Sequence, residues 1–276
     1  MIVWLASYPK SGNTFLRSLL GSYFFSNDGN FNFELLKYIS QFPDPIYFKD
    51  LNINLDDNLE ITKNYINAQK LLNKNNNSIR FFKTHSSFCK INGHNFTDLE
   101  NSLGVIYIVR DPRNVVISQS YHYDISIDES TELMMSNKRS IGSGGFQTFV
   151  GSWNFNFNSW KQFNNNFLLI KYEDLVKNPE FIFLKIIKFL ERLLSTQYKI
   201  DNDKLKRVIE TTQFEKLKKL EKKFGFSESI PAKKNYKKKD FFNLGPKNDF
   251  SKLLDQSNRK KIESAFKTEM QELSYS

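Results

Sequence analysis

Residues 8–14 read YPKSGNT, directly behind the apolar run MIVWLA. Backbone amides at the start of a helix lack intrahelical partners, and with the helix dipole they make a ready site for an anion. Here Gly12 lets the backbone approach a ligand, Ser11 and Thr14 offer hydroxyls, and Lys10 supplies a compact positive charge. The set suits a phosphate-like group. It differs from the nucleoside-triphosphate loop GxxxxGK[ST], in which the lysine follows the last glycine; Lys10 precedes Gly12, with no glycine upstream. Lys83 and His85, two apart in FFKTH, point the same way on an extended segment. That pairs a cation with a side chain able to accept a proton at neutral pH. Arg110 and Tyr172 end two further apolar runs. Taken alone, PKSGNT could be an N-cap turn with a surface lysine, Arg110 could pair with Asp111 or Glu173, and Tyr172 is as readily core as ligand.

Four short apolar runs are the elements that must position these groups: IVWLAS (2–7), IRFFKTH (79–85), VIYIVR (105–110) and FLLIKY (167–172). Their apolar residues run on instead of alternating, as in strands buried on both faces. Helical spacing follows the first run at Phe15, Leu16, Leu19, Leu20 and Tyr23. It follows the third from Pro112 through Val115 and Val116, and the fourth in two stripes separated by Pro179. Strand then helix, repeated, predicts an α/β fold, a single domain over 1–276 with a central parallel sheet flanked by helices. Ligands of such sheets gather beyond the carboxyl ends of the strands, where Tyr8–Thr14, His85, Arg110 and Tyr172 all fall. Segments 26–78 and 124–145 read as variable coverings over that edge, helical in part, and as the source of acceptor specificity. Helical patterns are expected over 205–224 and 258–273, with the lysine run 233–240 as a solvated loop between them. Trp4, Trp153 and Trp160 read as packing residues.

Forty Lys and Arg against thirty Asp and Glu give a net charge of +10 in 276 residues. This excess points to an anionic partner, although the abundance of Lys, Asn, Ile and Phe fits a bias toward A- and T-rich codons equally well. Cys89 is the only cysteine, so no internal disulfide forms, and a reducing compartment is expected. No His and Cys cluster has metal-ligand spacing. No apolar run is long enough to span a bilayer, and a soluble, cytoplasmic protein is the expectation.

SYPKSGNTFLRSLL resembles the 5′-phosphosulfate loop of the sulfotransferases that use 3′-phosphoadenosine 5′-phosphosulfate (PAPS), whose pattern is close to YPKSGTTW. IYIVRDPRNVVISQS is similar to the family's 3′-phosphate element, with Arg110 and Ser118 at its spacing. FFKTH resembles the segment that carries the family's catalytic base. LLIKYEDLVKNP and TTQFEKL resemble the segments around adenine. The matches run in family order from residue 1 to about 250.

The resemblance implies a P-loop-kinase-like sulfotransferase fold and sulfuryl transfer from PAPS to a hydroxyl or amine of a small molecule, lipid or glycan. The product would be adenosine 3′,5′-bisphosphate, with neither a metal nor a nucleic-acid partner. Lys10 and Lys83 would then stabilise the leaving phosphate and His85 would act as base. Ser11, Gly12, Asn13, Thr14, Phe15, Arg110, Ser118, Tyr172, Thr212, Phe214 and Gly245 would bind the nucleotide, and Ser118 would also hold Lys10 back until acceptor arrives. One departure stands out: in FFNLGPKNDF the family's Arg and Lys before the glycine are Asn243 and Leu244, while Gly245 and Asp249 are kept. Arg113, Lys237, Lys238, Lys239 or Lys247 could supply the missing charge. Two readings outside this family stay open, a kinase-like phosphoryl transferase and a non-catalytic anion binder.

Overall fold

The computed structural model describes residues 1–74, 79–231 and 238–275. Strands β1 (Ile2–Ala6), β2 (Arg80–Thr84), β3 (Ser102–Val109) and β4 (Phe167–Lys171) form one parallel sheet in the order β2-β1-β3-β4. Leu5 lies opposite Lys83 on one side and Ile106 on the other, and Ile106 in turn lies opposite Leu168.

Alternate side chains enter two separate cores, which is why the runs read as continuously apolar. Val3, Leu5, Ile106, Ile108 and Ile170 pack under helices α1 (Asn13–Phe25), α4 (Pro179–Leu194) and α5 (Asn202–Thr211). Trp4, Ala6, Val105, Tyr107 and Val109 pack against α2 (Pro112–Tyr123) and the helices Trp153–Trp160 and Gln256–Ala265. All three tryptophans are fully buried, as their assignment to packing predicts. Between β4 and α4 lies the short helix α3 (Tyr172–Lys177), which ends before Pro179.

The differences from the sequence reading have local causes. β3 begins at Ser102, three residues before the apolar run, because Gly104 leaves room for Phe189 and Leu193 of α4. The helical run over 205–224 is two helices, α5 and α6 (Phe214–Phe224), parted at Thr212 and Gln213. The run over 258–273 likewise breaks at Phe266. Most of the lysine run, Lys237 included, lies outside the described residues, while Lys238 bridges Pro231. Among the described residues no helix is long and apolar enough to cross a membrane.

The chain passes from β1 to β2 on one side and later to β3 on the other. The carboxyl ends of β1 and β3 therefore flank the crevice where open α/β sheets hold ligands.

Candidate active site

A cavity of about 560 Å³ opens there. It is lined by Lys10, Gly12, Asn13, Thr14, Phe15, Lys83, His85, Arg110, Ser118, Tyr172, Phe214 and Gly245 among others. Of the residues expected at the site, Ser11 and Thr212 stand outside its wall. Ser11 is fully buried, its hydroxyl without a hydrogen-bond partner among the described residues. Thr212 is fully buried and donates its hydroxyl to the Val208 carbonyl, 2.7 Å away. Although the helical pattern runs on over 205–224, α5 ends at Thr211, and the Thr212 side chain turns back along that helix.

The loop from β1 to α1 turns through two left-handed residues, Lys10 (φ 66°) and Gly12 (φ 99°). Gly12 is required by contact as well as by backbone angle, since a Cβ there would stand 2.3 Å from the Tyr172 ring. No side chain caps α1 among the described residues, so its first amides remain available to an anion. Asn13 turns inward instead, donating Nδ2 to the Leu5 carbonyl (2.9 Å) and to Ser7 Oγ (3.1 Å). It fastens the loop to the end of β1.

Three cationic side chains, Lys10, Lys83 and Arg110, line this wall, and Arg17 joins them through Glu228. The Lys10 ammonium is buried with no hydrogen-bond acceptor among the described residues and sits 3.7 Å above the centre of the Phe241 ring. The expected restraint by Ser118 is absent: that hydroxyl accepts Arg110 Nη1 (3.1 Å) and Asn248 Nδ2 (3.0 Å), which leaves Lys10 to the aromatic face. Lys83 Nζ and Arg17 Nη1 reach the same oxygen of Glu228, at 3.2 and 2.5 Å, while Thr14 donates to its other oxygen at 3.2 Å. Burial would push the Glu228 carboxyl up, but Lys83 and Arg17 hold it well below the usual carboxylate range.

Burial brings the Lys10 ammonium down to about 7; Lys83 and Arg110 add to the shift and Glu228 opposes it. Near neutral pH the empty site is thus only partly charged at Lys10, and an arriving anion favours the protonated form. Binding of a nucleotide phosphate is therefore expected to take up a proton at pH 7–8 and to weaken as pH rises above 7. Calorimetry in buffers of different ionisation enthalpy measures that uptake, and an unchanged uptake in Lys10→Met would refute the assignment.

His85 follows β2 directly. Its Nδ1 lies 2.9 Å from the Ser7 carbonyl and 3.2 Å from Ser7 Oγ. A carbonyl only accepts, so Nδ1 carries the hydrogen and Nε2 keeps its lone pair. Burial, reinforced by the Lys83 charge, lowers its pKa to about 3, so the ring is neutral throughout the physiological range.

At the far end Arg110 stacks on Tyr172, 4.3 Å from guanidinium carbon to ring centre, and donates to the Gly245 carbonyl at 3.0 Å. Its Nε is buried and unpartnered among the described residues. Pairing with Asp111 or Glu173 does not occur, because Asp111 is taken by Arg113 (2.7 Å) and Glu173 by the Asp111 amide and the Tyr275 hydroxyl. Of the cations expected to replace those missing at Asn243 and Leu244, Lys237 lies outside the described residues and three others are engaged elsewhere. Arg113 is locked between Asp111 and Glu263, Lys239 pairs with Asp124, and Lys247 pairs with Glu215 on the surface. Lys218 is placed closer, donating to the Asn243 carbonyl at 2.9 Å. Gly245 (φ 52°) packs under Phe214, whose ring a Cβ would meet at 2.1 Å. Phe214, Phe15 and Tyr172 thereby give that end an aromatic lining.

The sequence reading missed Glu228, Gln41, His122 and Phe241, all on the cavity wall. None lies in a strand-end motif, and each arrives through long-range packing. Of the two segments expected to cover the site, 26–78 contributes Gln41 and 124–145 contributes no wall residue among those described.

The sulfotransferase domain family model matches residues 2–274. The chain is similar to sulfotransferase 1 family member D1 of Mus musculus, at 29% identity over 206 residues covering 69% of this chain and 59% of that protein. It is also similar to cytosolic sulfotransferase 13 of Arabidopsis thaliana, at 25% identity over 222 residues, 79% of this chain and 62% of that protein. It thus spans about 60% of the length of these relatives. Among solved structures, retinol dehydratase in complex with androsterone and inactive cofactor PAP has a TM-score of 0.61 at 18% identity, covering 98% of this chain and 80% of that one. A mouse sulfotransferase complexed with PAP gives 0.56 at 18%, covering 97% and 83%. At these identities the structural likeness is one of fold.

Proposed function

Because the chain belongs to the sulfotransferase domain family, we propose that it transfers the sulfuryl group of PAPS to a hydroxyl or amine of a small-molecule acceptor. The observation that carries this reading is the convergence of Lys10, Lys83, His85 and Arg110 on one cavity at the carboxyl edge of the sheet. The amides of the first turn of α1 and the Thr14 hydroxyl hold the 5′-phosphate end of the donor. Arg110 and Ser118 hold its 3′-phosphate, and Phe15, Tyr172 and Phe214 enclose the base. His85 Nε2 takes the acceptor's proton as the acceptor oxygen or nitrogen attacks sulfur in line with the departing phosphate oxygen. Lys10 and Lys83 offset the charge growing on that oxygen. The acceptor enters past Gln41, Tyr121, His122 and Tyr123, a partly aromatic wall. Two structures of retinol dehydratase, one in complex with androsterone and one with retinol, favour a small apolar acceptor.

Calorimetric titration tests the donor assignment. Adenosine 3′,5′-bisphosphate is expected to bind much more tightly than 5′-AMP or ATP, and turnover of PAPS with a panel of phenolic, steroid and amine acceptors is expected to release it. Binding no tighter than that of 5′-AMP would overturn the assignment.

A further inference from the structure

Glu228 is the only carboxylate on the cavity wall among the described residues, and it stands at the most cationic point of that wall. Its oxygens engage Lys83, Arg17 and Thr14. Lys83 is one of the groups assigned to the developing charge, and the Thr14 hydroxyl is one assigned to the 5′-phosphate. The carboxylate therefore makes the contacts that an incoming anion needs. Thr14 has a single O–H and cannot serve both, and although the three N–H groups of Lys83 can be shared, a carboxylate beside them repels an incoming anion and occupies part of its place.

The position of Glu228 is built. It follows α6 after the turn at Gly225 (φ 72°), between two anchors. Phe226 packs against Phe33, Phe241 and Phe242, and the Ser229 hydroxyl donates to the buried Glu221 carboxylate at 2.7 Å. Arg17 is held on its other side by the carbonyls of Ile39 (3.0 Å) and Leu36 (3.1 Å). It keeps its place if the carboxylate withdraws. Without Glu228, the buried Lys83 and Arg17 would face one another in the empty site with no counter-charge, which is costly.

We propose that Glu228 is the stand-in anion of the donor site: it neutralises Lys83 and Arg17 while the site is empty, and it must release Thr14 and yield its place beside Lys83 when the 5′-phosphosulfate end of the donor enters. Glu228 thereby sets donor affinity at that end of the nucleotide alone. This inference rests on the reading of the cavity as a donor site.

The test compares adenosine, 5′-AMP and adenosine 3′,5′-bisphosphate on the full chain and on Glu228→Gln, by calorimetry. Removing the competing charge is expected to tighten 5′-AMP and the bisphosphate by about tenfold each. Adenosine affinity and the ratio between the two phosphorylated ligands should be unchanged. The empty variant should melt at a lower temperature than the wild type and gain more from the bisphosphate. Glu228→Asp keeps the charge but is one methylene too short to bridge Lys83 and Thr14; it is expected to fold normally and show the same pattern in smaller measure. If both variants bind 5′-AMP no better relative to adenosine than the wild type does, the stand-in role is wrong although the donor site stands. A wild-type protein that binds none of the three refutes both.

Discussion

Exchanging His85 for asparagine is expected to lower sulfuryl transfer by about 100- to 10,000-fold, the range of a general base, and to leave bisphosphate affinity essentially unchanged. Asparagine can still donate to the Ser7 carbonyl from the place where Nδ1 stands at 2.9 Å, so the strand end keeps its shape. What it lacks is a basic atom at the position of Nε2. Steady-state turnover with PAPS, set beside the calorimetric affinity, separates these two outcomes. The pH profile adds a second mark. Burial and Lys83 bring His85 down to about 3, so the wild-type rate should show no acid limb near 6.5, the ordinary histidine value. Retained turnover in the variant, or an acid limb near 6.5, would remove His85 from the base role. Catalysis would then have to use another acceptor of the proton, and His122 is the other imidazole on the wall.

Arg110→Met is expected to abolish the preference for a 3′-phosphate. Arg110 presents one guanidinium to that end of the cavity, stacked on Tyr172, with an unpartnered buried Nε. The positions where relatives of this type are expected to add an arginine and a lysine hold Asn243 and Leu244. Arg113, Lys239 and Lys247 are tied to carboxylates elsewhere. Hydrogen bonds to a charged group contribute about 1.5–3 kcal/mol each, so losing a two-point contact should cost the bisphosphate about 100-fold or more in affinity. The affinity for 5′-AMP, which makes no such contact, is the internal control. If the ratio of the two affinities survives the substitution, another cation reads the 3′-phosphate, and Lys218 beside Asn243 is the place to look.

The sheet was legible because its strands are buried on both faces. Runs such as Ile2–Ala6 and Val105–Val109 carry no polar residue to obscure the signal. The start of β3 at Ser102–Gly104 was not, since Ser102 is there to receive Trp4 Nε1 and Gly104 to admit α4, and neither need is visible in sequence spacing. The break between α5 and α6 was hidden for a related reason: the apolar period of Leu205, Val208 and Leu217 continues across it.

Loop chemistry at Lys10, Gly12 and Thr14 and the strand ends at His85 and Arg110 could be read because each motif is compact. What pairs with them could not. Asn248, 130 residues from Ser118, fills the hydroxyl that was expected to restrain Lys10. Glu228 lies in FSESI, where no periodicity marks a carboxylate as buried. It is drawn in only by cations more than a hundred residues distant in the chain.

Glu221 does more than anchor Ser229. Its carboxylate also accepts the amides of Phe241 (2.6 Å) and Phe242 (2.9 Å), so one side chain rivets the strap that bears Glu228 to the strap that bears the ring beneath Lys10. These two straps cannot slide past each other without breaking charge-assisted bonds in a buried setting, each stronger than an ordinary one. The shelf under Lys10 and the occupant of the anion subsite are thus one mechanical part. Neither can be re-cut, by mutation or by a ligand that pushes backbone aside, without moving the other.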